Sequence, residues 1–131
     1  MNVLNRYELE LEGKTVVIRC FGEWGLPLAL EFLDALERQV GEVPSGTAWA
    51  TLVDFTGWEA VAPEVWEITH KVVELCNERG RTHSAYSFGS LEIGQKMVEK
   101  GIVDPESKHI RHFATESLAR EWLGALGYLN D

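Results

Sequence analysis

The chain has 131 residues, 45% of them apolar, and a formal net charge of −9. That length and apolar fraction suit a single domain spanning residues 1–131 and exclude a disordered chain. The acidic balance argues against nucleic acid and anionic membrane surfaces as partners, and no apolar run approaches the ~18 residues that cross a bilayer.

The opening Met-Asn-Val-Leu-Asn-Arg carries no apolar stretch of signal-peptide length, so a cytoplasmic location is expected. In that reducing compartment Cys20 and Cys76, far apart and in apolar surroundings, read as small buried hydrophobes rather than a disulfide. Tyr7 to Leu11 alternates polar and apolar residues, Glu12-Gly13 supplies a turn, and Lys14 to Phe21 is rich in β-branched residues. This is a hairpin signal. Gly22, Gly25 and Pro27 mark a loop out of the sheet.

From Leu26 to Val40 the period becomes helical. Ala29, Phe32, Leu33, Leu36 and Val40 share one stripe, and Gly41 is placed to end the helix. Trp49 to Phe55 is apolar on both faces, as in an interior strand. That strand runs into a polar-tipped turn. It feeds a helix opening at Pro63, where the missing N–H costs nothing. That helix turns Val65, Trp66, Thr69, Val72, Val73 and Cys76 inward and closes at Arg79-Gly80.

Thr82 to Phe88 is a third core strand. Ser90 is positioned to cap a helix running to about Lys100, with Leu91, Ile93, Met97 and Val98 inward. His109 to Phe113 is a last strand. Thr115 caps a final helix whose Leu118, Ala119, Trp122, Leu123 and Leu126 are expected to face the core.

The order β-β-α-β-α-β-α-β-α predicts an α/β fold with a mainly parallel sheet of four to five strands, an N-terminal antiparallel hairpin and about four helices. If strands adjacent in sequence are adjacent in the sheet, every crossover helix lies on one face and the other face is only partly covered. The expected division puts Val16, Ile18, Cys20 and Leu52 toward the helices. It puts Arg19, Thr51, Tyr86 and Arg111 on the other side, with Val17, Val53 and Trp49.

At Leu52-Val53-Asp54-Phe55-Thr56-Gly57-Trp58, followed by Pro63-Glu64 and a helix, the chain resembles the SpoIIAA-like proteins, relatives of the STAS (anti-sigma-factor antagonist) domain. The opening hairpin, the helix from Leu26, the Gly80-Arg81 exit into a strand and His112-Phe113-Ala114-Thr115 before Trp122-Leu123 agree with it. The resemblance implies a compact (βα) superhelical core, no cofactor, and a protein partner such as an anti-sigma-like regulator. It also implies a serine phosphoswitch with the pattern Asp-Ser-Ser-Gly. Laid on this chain without gaps, the pattern falls on Ala62-Pro63-Glu64-Val65, and both serines are absent. Glu64 lies near the phosphoacceptor position, where it could act as a permanent phosphate mimic. The plainer reading is a carboxylate stabilised by the helix dipole.

The residues offer little catalytic apparatus. His109 and His112 are three apart, which on a strand sends them to opposite faces rather than to one metal. Cys76 sits on an apolar stripe, where a thiolate is disfavoured. Asp54 ends a parallel strand, where α/β proteins place their sites, but it also suits capping the turn through Thr56 or Gly57. Gly89-Ser90 lacks the lysine and hydroxyl of a phosphate loop. Trp24 and Trp58 are expected in loops on one rim, as contact anchors or as lids folded onto the core. The expectation is a non-enzymatic regulatory or protein-interaction module that forms a homodimer and binds no metal. Its rim would carry Trp24, Asp54, Thr56, Trp58, Glu64 and Ser90. The alternative is a carrier of a small apolar, lipid-like ligand, with Trp24, Trp58, Trp66 and Phe88 lining one pocket.

Overall fold

The computed structural model describes residues 5–88, 91–102 and 108–129. Strands β1 (Arg6–Glu12), β2 (Thr15–Trp24), β3 (Trp49–Val61), β4 (Arg81–Ser87) and β5 (Ile110–Phe113) form one sheet in that order. β1 and β2 are antiparallel, and every later pair is parallel. Helices α1 (Leu26–Val40), α2 (Pro63–Glu78), α3 (Leu91–Glu99) and α4 (Glu116–Ala125) follow β2, β3, β4 and β5. The sequence order of elements and the hairpin are as expected.

Because strand order follows chain order, right-handed crossovers set α1, α2 and α3 on one face. There Val16, Ile18 and Cys20 of β2 meet Trp49 and Val53 of β3, Tyr86 of β4, and Phe32, Leu36, Val65, Ile68, Cys76, Ile93 and Met97 of the helices. α4, with no strand left to reach, packs on the opposite face. Val17, Ala50, Leu52 and Ala85 are buried there under Ala119 and Leu123.

The expected division of the sheet faces is corrected at five positions. Register pairs Val16 with Thr51, Ile18 with Val53, and Val53 with Tyr86. Side chains alternate along a strand, so Trp49, Thr51, Val53 and Tyr86 join the three-helix face while Leu52 goes to the α4 face. Sequence alternation cannot fix this for β3, which is apolar on both sides.

β3 also runs further than expected. The segment read as a turn beyond Phe55 stays in the sheet as far as Val61, paired with the end of β2. Two irregularities make the pairing possible. Between Arg19↔Asp54 and Phe21↔Gly57, β3 advances three residues while β2 advances two, and a second shift follows between Gly22↔Trp58 and Trp24↔Val61. Each bulge adds a residue to β3 and reverses which residues face the helices. Gly57 sits at the first, where a Cβ would come within 2.8 Å of the Phe21 ring.

The α4 face is tied down by charge. Arg19 of β2 donates through Nε and Nη2 to the two carboxylate oxygens of Glu116 at 2.8 and 3.1 Å, and also meets Glu10 at 2.9 Å. Arg120 donates to Glu116 at 2.9 Å. Thr115 caps α4 by accepting the Leu118 N–H, as expected. The inward reading fails for Leu118 and Leu126, which are 45% and 46% exposed, and for Val98 of α3.

Leu123→Ala should lower the unfolding free energy by ~2–5 kcal/mol, since it opens a void under α4, whereas Leu118→Ala should change it by less than ~0.5 kcal/mol. Urea denaturation checks both. The hydrogen bond from Arg19 holds the Glu116 carboxyl below its ordinary value of 4.5. Its stabilising contribution is therefore complete above that value and is lost as pH falls through the lowered folded value. Glu116→Gln should be less stable than wild type at neutral pH, with the difference closing in acid. Parallel urea titrations across that range measure it.

Candidate functional site

Asp54 ends the regular part of β3, and its surroundings fix what it does. Its Oδ1 accepts from the Thr56 N–H at 3.0 Å, the Thr56 hydroxyl at 2.6 Å and the fully buried Ser87 hydroxyl at 2.8 Å. Three donors on one oxygen make this carboxylate a brace across β3, its bulge and β4. Thr56 is exposed beyond it. Glu64 is exposed in the first turn of α2, where its charge complements the helix amino end.

The other expected rim residues lie elsewhere. Trp24 and Trp58, expected in loops, are on β2 and β3 and only 4% and 5% exposed. The reason is the bulge. Phe55 and Trp58 are three apart and would face opposite ways on a regular strand, yet the extra residue brings both to the helix side, stacked at 4.5 Å. Trp58 meets Trp24 and Trp66 edge-on, each at 5.7 Å. Trp24 also packs on Phe32 at 5.3 Å, which Tyr7 meets at the same distance. Ser90 lies outside the described residues.

Beneath this aromatic cluster, between the sheet and α1 and α2, is a cavity of about 40 Å³. Its walls include Ile18, Val53, Phe55, Trp58, Val65 and Ile68. Cys20 and Cys76 also line it, and burial pushes both thiols up, away from thiolate chemistry. Both are free cysteines. Arg81 reaches the wall, donating to Thr51 Oγ1 at 3.2 Å and Asn77 Oδ1 at 3.1 Å. Thr51 in turn shares a buried 2.7 Å hydrogen bond with Ser84.

The indoles around the core differ in one respect. Trp24 donates to the Phe21 carbonyl at 3.0 Å and Trp49 to the Arg79 carbonyl at 2.8 Å. Among the described residues, the buried Trp58 Nε1 has no acceptor. Sequence reading placed Trp24, Trp58, Trp66 and Phe88 around one pocket. Trp24 and Trp58 do line the cavity, Trp66 and Phe88 are not among its walls, and its Arg81–Thr51 end is not part of that expectation. The alternation of Thr51, Val53 and Phe55 with Ile18 and Cys20 was the available signal, but it needed the β2–β3 register.

A polar cluster sits on the α4 face. His83 Nδ1 is 2.9 Å from Tyr128 Oη, Tyr128 Oη is 2.6 Å from Thr82 Oγ1, and His83 Nε2 is 3.3 Å from His109 Nδ1. Burial, then the neighbouring His109, lowers the His83 pKa. His112 of β5 instead lies against Phe88, at 5.9 Å between ring centroids, so it and His109, just before the strand, meet different partners. Among the described residues, no group of three His, Cys, Asp or Glu is arranged to hold a metal ion. No helix among them is long and apolar enough to cross a membrane.

No protein-family model matches this chain, and no curated protein matches it significantly. Solved structures do. An uncharacterized protein of the DUF3478 family with a SpoIIAA-like fold, from Shewanella loihica PV-4, superposes with a TM-score of 0.67 at 15% identity, covering 92% of this chain and 95% of that one. The anti-sigma factor antagonist SpoIIAA in its unphosphorylated form gives a TM-score of 0.64 at 16% identity, covering 91% and 98%. The fold of this chain is therefore SpoIIAA-like, an α/β fold shared with an anti-sigma factor antagonist.

Asp54→Ala should cost ~1–3 kcal/mol by leaving the buried Ser87 hydroxyl without its acceptor, and Asp54→Asn, which keeps an oxygen there, less than ~1 kcal/mol. Urea denaturation of the two variants ranks them. Equal losses would deny Asp54 its bracing role.

Proposed function

We infer that this protein is a non-enzymatic regulatory module of the cytoplasm that works by docking a protein partner and self-associates as a homodimer. The observation that carries the reading is the braced β3 bulge and the start of α2 that follows the same strand. Thr56 is exposed on the first and Glu64 on the second, in a fold shared with an anti-sigma factor antagonist. In this reading Trp24 and Trp58 support the edge from beneath rather than touch the partner, Asp54 holds its shape, and Ser90 belongs to the same rim. Pro63 and Glu64 stand where the serine pattern of the antagonists falls, so docking proceeds without phosphoserine control. A partner of the anti-sigma regulator type fits this role.

The test is affinity. With a partner recovered from the native host, Thr56→Arg and Glu64→Arg should each weaken binding about tenfold or more, as a misplaced charge at an interface does, while leaving the fold intact. Unchanged affinity for both variants refutes the docking edge. Light scattering of the purified chain reads the homodimer directly.

A second reading, a carrier of a small apolar ligand, is favoured by the cavity between the sheet and α1 and α2. Its volume is about three times the ~10–15 Å³ that a single water occupies, so in this closed form it takes a few heavy atoms rather than a lipid tail.

A further inference from the structure

The cavity and the unpaired indole beside it belong together. A buried donor without an acceptor loses its hydration and gains nothing in exchange, so such groups are rare in folded proteins. Two other indoles buried on this face, Trp24 and Trp49, donate to backbone carbonyls, while Trp66 is buried there with 8% exposure. Trp58 is 5% exposed and lines the cavity, yet its N–H meets no acceptor among the described residues. The bulge that turns Trp58 inward therefore places a hydrogen-bond donor in an otherwise apolar nest of Phe55, Trp24, Val65 and Ile68.

We propose that this cavity is a binding site for a small, uncharged apolar molecule bearing one hydrogen-bond acceptor, a carbonyl or ether oxygen, which receives the Trp58 indole N–H. This inference rests on the carrier reading and adds the chemistry of the ligand. An uncharged acceptor is required because a carboxylate placed among these rings would have no cation to pair with. The guanidinium on the cavity wall, Arg81, lies at the opposite end, bonded to Thr51, seven residues before Trp58 on β3. A buried water is the competing occupant. A stable buried water normally holds two to four polar partners. The wall hydroxyl of Thr69 donates to the Val65 carbonyl at 2.9 Å, so toward a water it can only accept.

The experiment uses the whole ¹⁵N-labelled protein and two probes of nearly equal shape, acetone and isobutene, which differ in the oxygen. Each is titrated while the indole N–H resonances and the amides of Val53, Val65 and Ile68 are followed by NMR. Both probes should perturb the cavity amides saturably. Acetone leaves its hydrogen bonds to water on entering, so its raw affinity relative to isobutene does not measure the indole bond; it should move the Trp58 indole proton downfield, the mark of an accepted hydrogen bond. Isobutene should not. In Trp58→Phe, which keeps an aromatic wall, the ratio of acetone to isobutene affinity should fall about fivefold, the worth of one neutral hydrogen bond. The wild-type indole shift stands even if that variant fails to fold. An indole proton that acetone leaves unmoved, or an affinity ratio unchanged in Trp58→Phe, overturns the acceptor inference and leaves the carrier reading standing. Binding of neither probe overturns both. A long-lived water on the Trp58 indole that acetone does not displace overturns the acceptor inference.

Discussion

The bulge between Arg19↔Asp54 and Phe21↔Gly57 is the constraint on which the rest of this structure turns. Without it, β3 would send Trp58 to the face opposite Phe55, and a large indole would stand on the α4 side of the sheet. With it, Phe55, Trp58, Trp24 and Trp66 close one aromatic cluster over the cavity. Two features secure the bulge. Gly57 leaves room for the Phe21 ring, and Asp54 gathers the Thr56 backbone, the Thr56 hydroxyl and the Ser87 hydroxyl on one oxygen. The carboxylate that first reads as a candidate catalytic group is spent on geometry.

The two faces of the sheet are held by different physics. On the three-helix face, burial dominates, and the polar groups that enter, such as Thr51 and Ser84, satisfy each other. On the α4 face the apolar patch is small, and the helix is fixed by Arg19 and Arg120 on Glu116, with Arg111 over the Phe113 and Trp122 rings. Exposed ion pairs contribute little each. The bidentate Arg19–Glu116 pair is partly buried and shared with Glu10, so its value lies in fixing where α4 sits as well as in energy. Lys14 N–H and the Thr15 hydroxyl both donate to the Tyr128 carbonyl, which pins the chain after α4 against the hairpin turn.

Much of this fold was legible in the sequence because its helices are amphipathic and its strands alternate with them. The stripe of Ala29, Phe32, Leu36 and Val40 is the buried face of α1, and Pro63 opens α2 as read. What stayed hidden depends on pairing between distant segments. Leu52, Thr51 and Val53 were assigned to the wrong faces because β3 is apolar on both. The rim was misplaced because Thr56-Gly57 has turn chemistry, and here it serves a bulge inside a strand rather than a chain reversal. The same turn chemistry puts Trp58 in a loop, and Gly22, Gly25 and Pro27 do so for Trp24; both lie in strands and pack onto the core, the second of the two placements open to them. Leu118 and Leu126 fit the inward stripe of α4, but the patch beneath the helix is narrow and reaches only Ala119 and Leu123.

These constraints bear on how one surface edge and one interior cavity coexist. They share the same structural part. The strand segment from Asp54 to Trp58 presents Thr56 outward and Trp58 inward, and the brace on Asp54 holds both. A molecule that filled the space beside Trp58 would press on Phe55 and on the Val65 turn of α2, whose preceding residue is Glu64. Close-packed interiors transmit such displacements rather than absorb them. Were the proposed ligand and the proposed partner both to bind, their sites would share this one segment of β3. A ligand favouring one arrangement of that segment shifts partner affinity only by its differential affinity for the two arrangements.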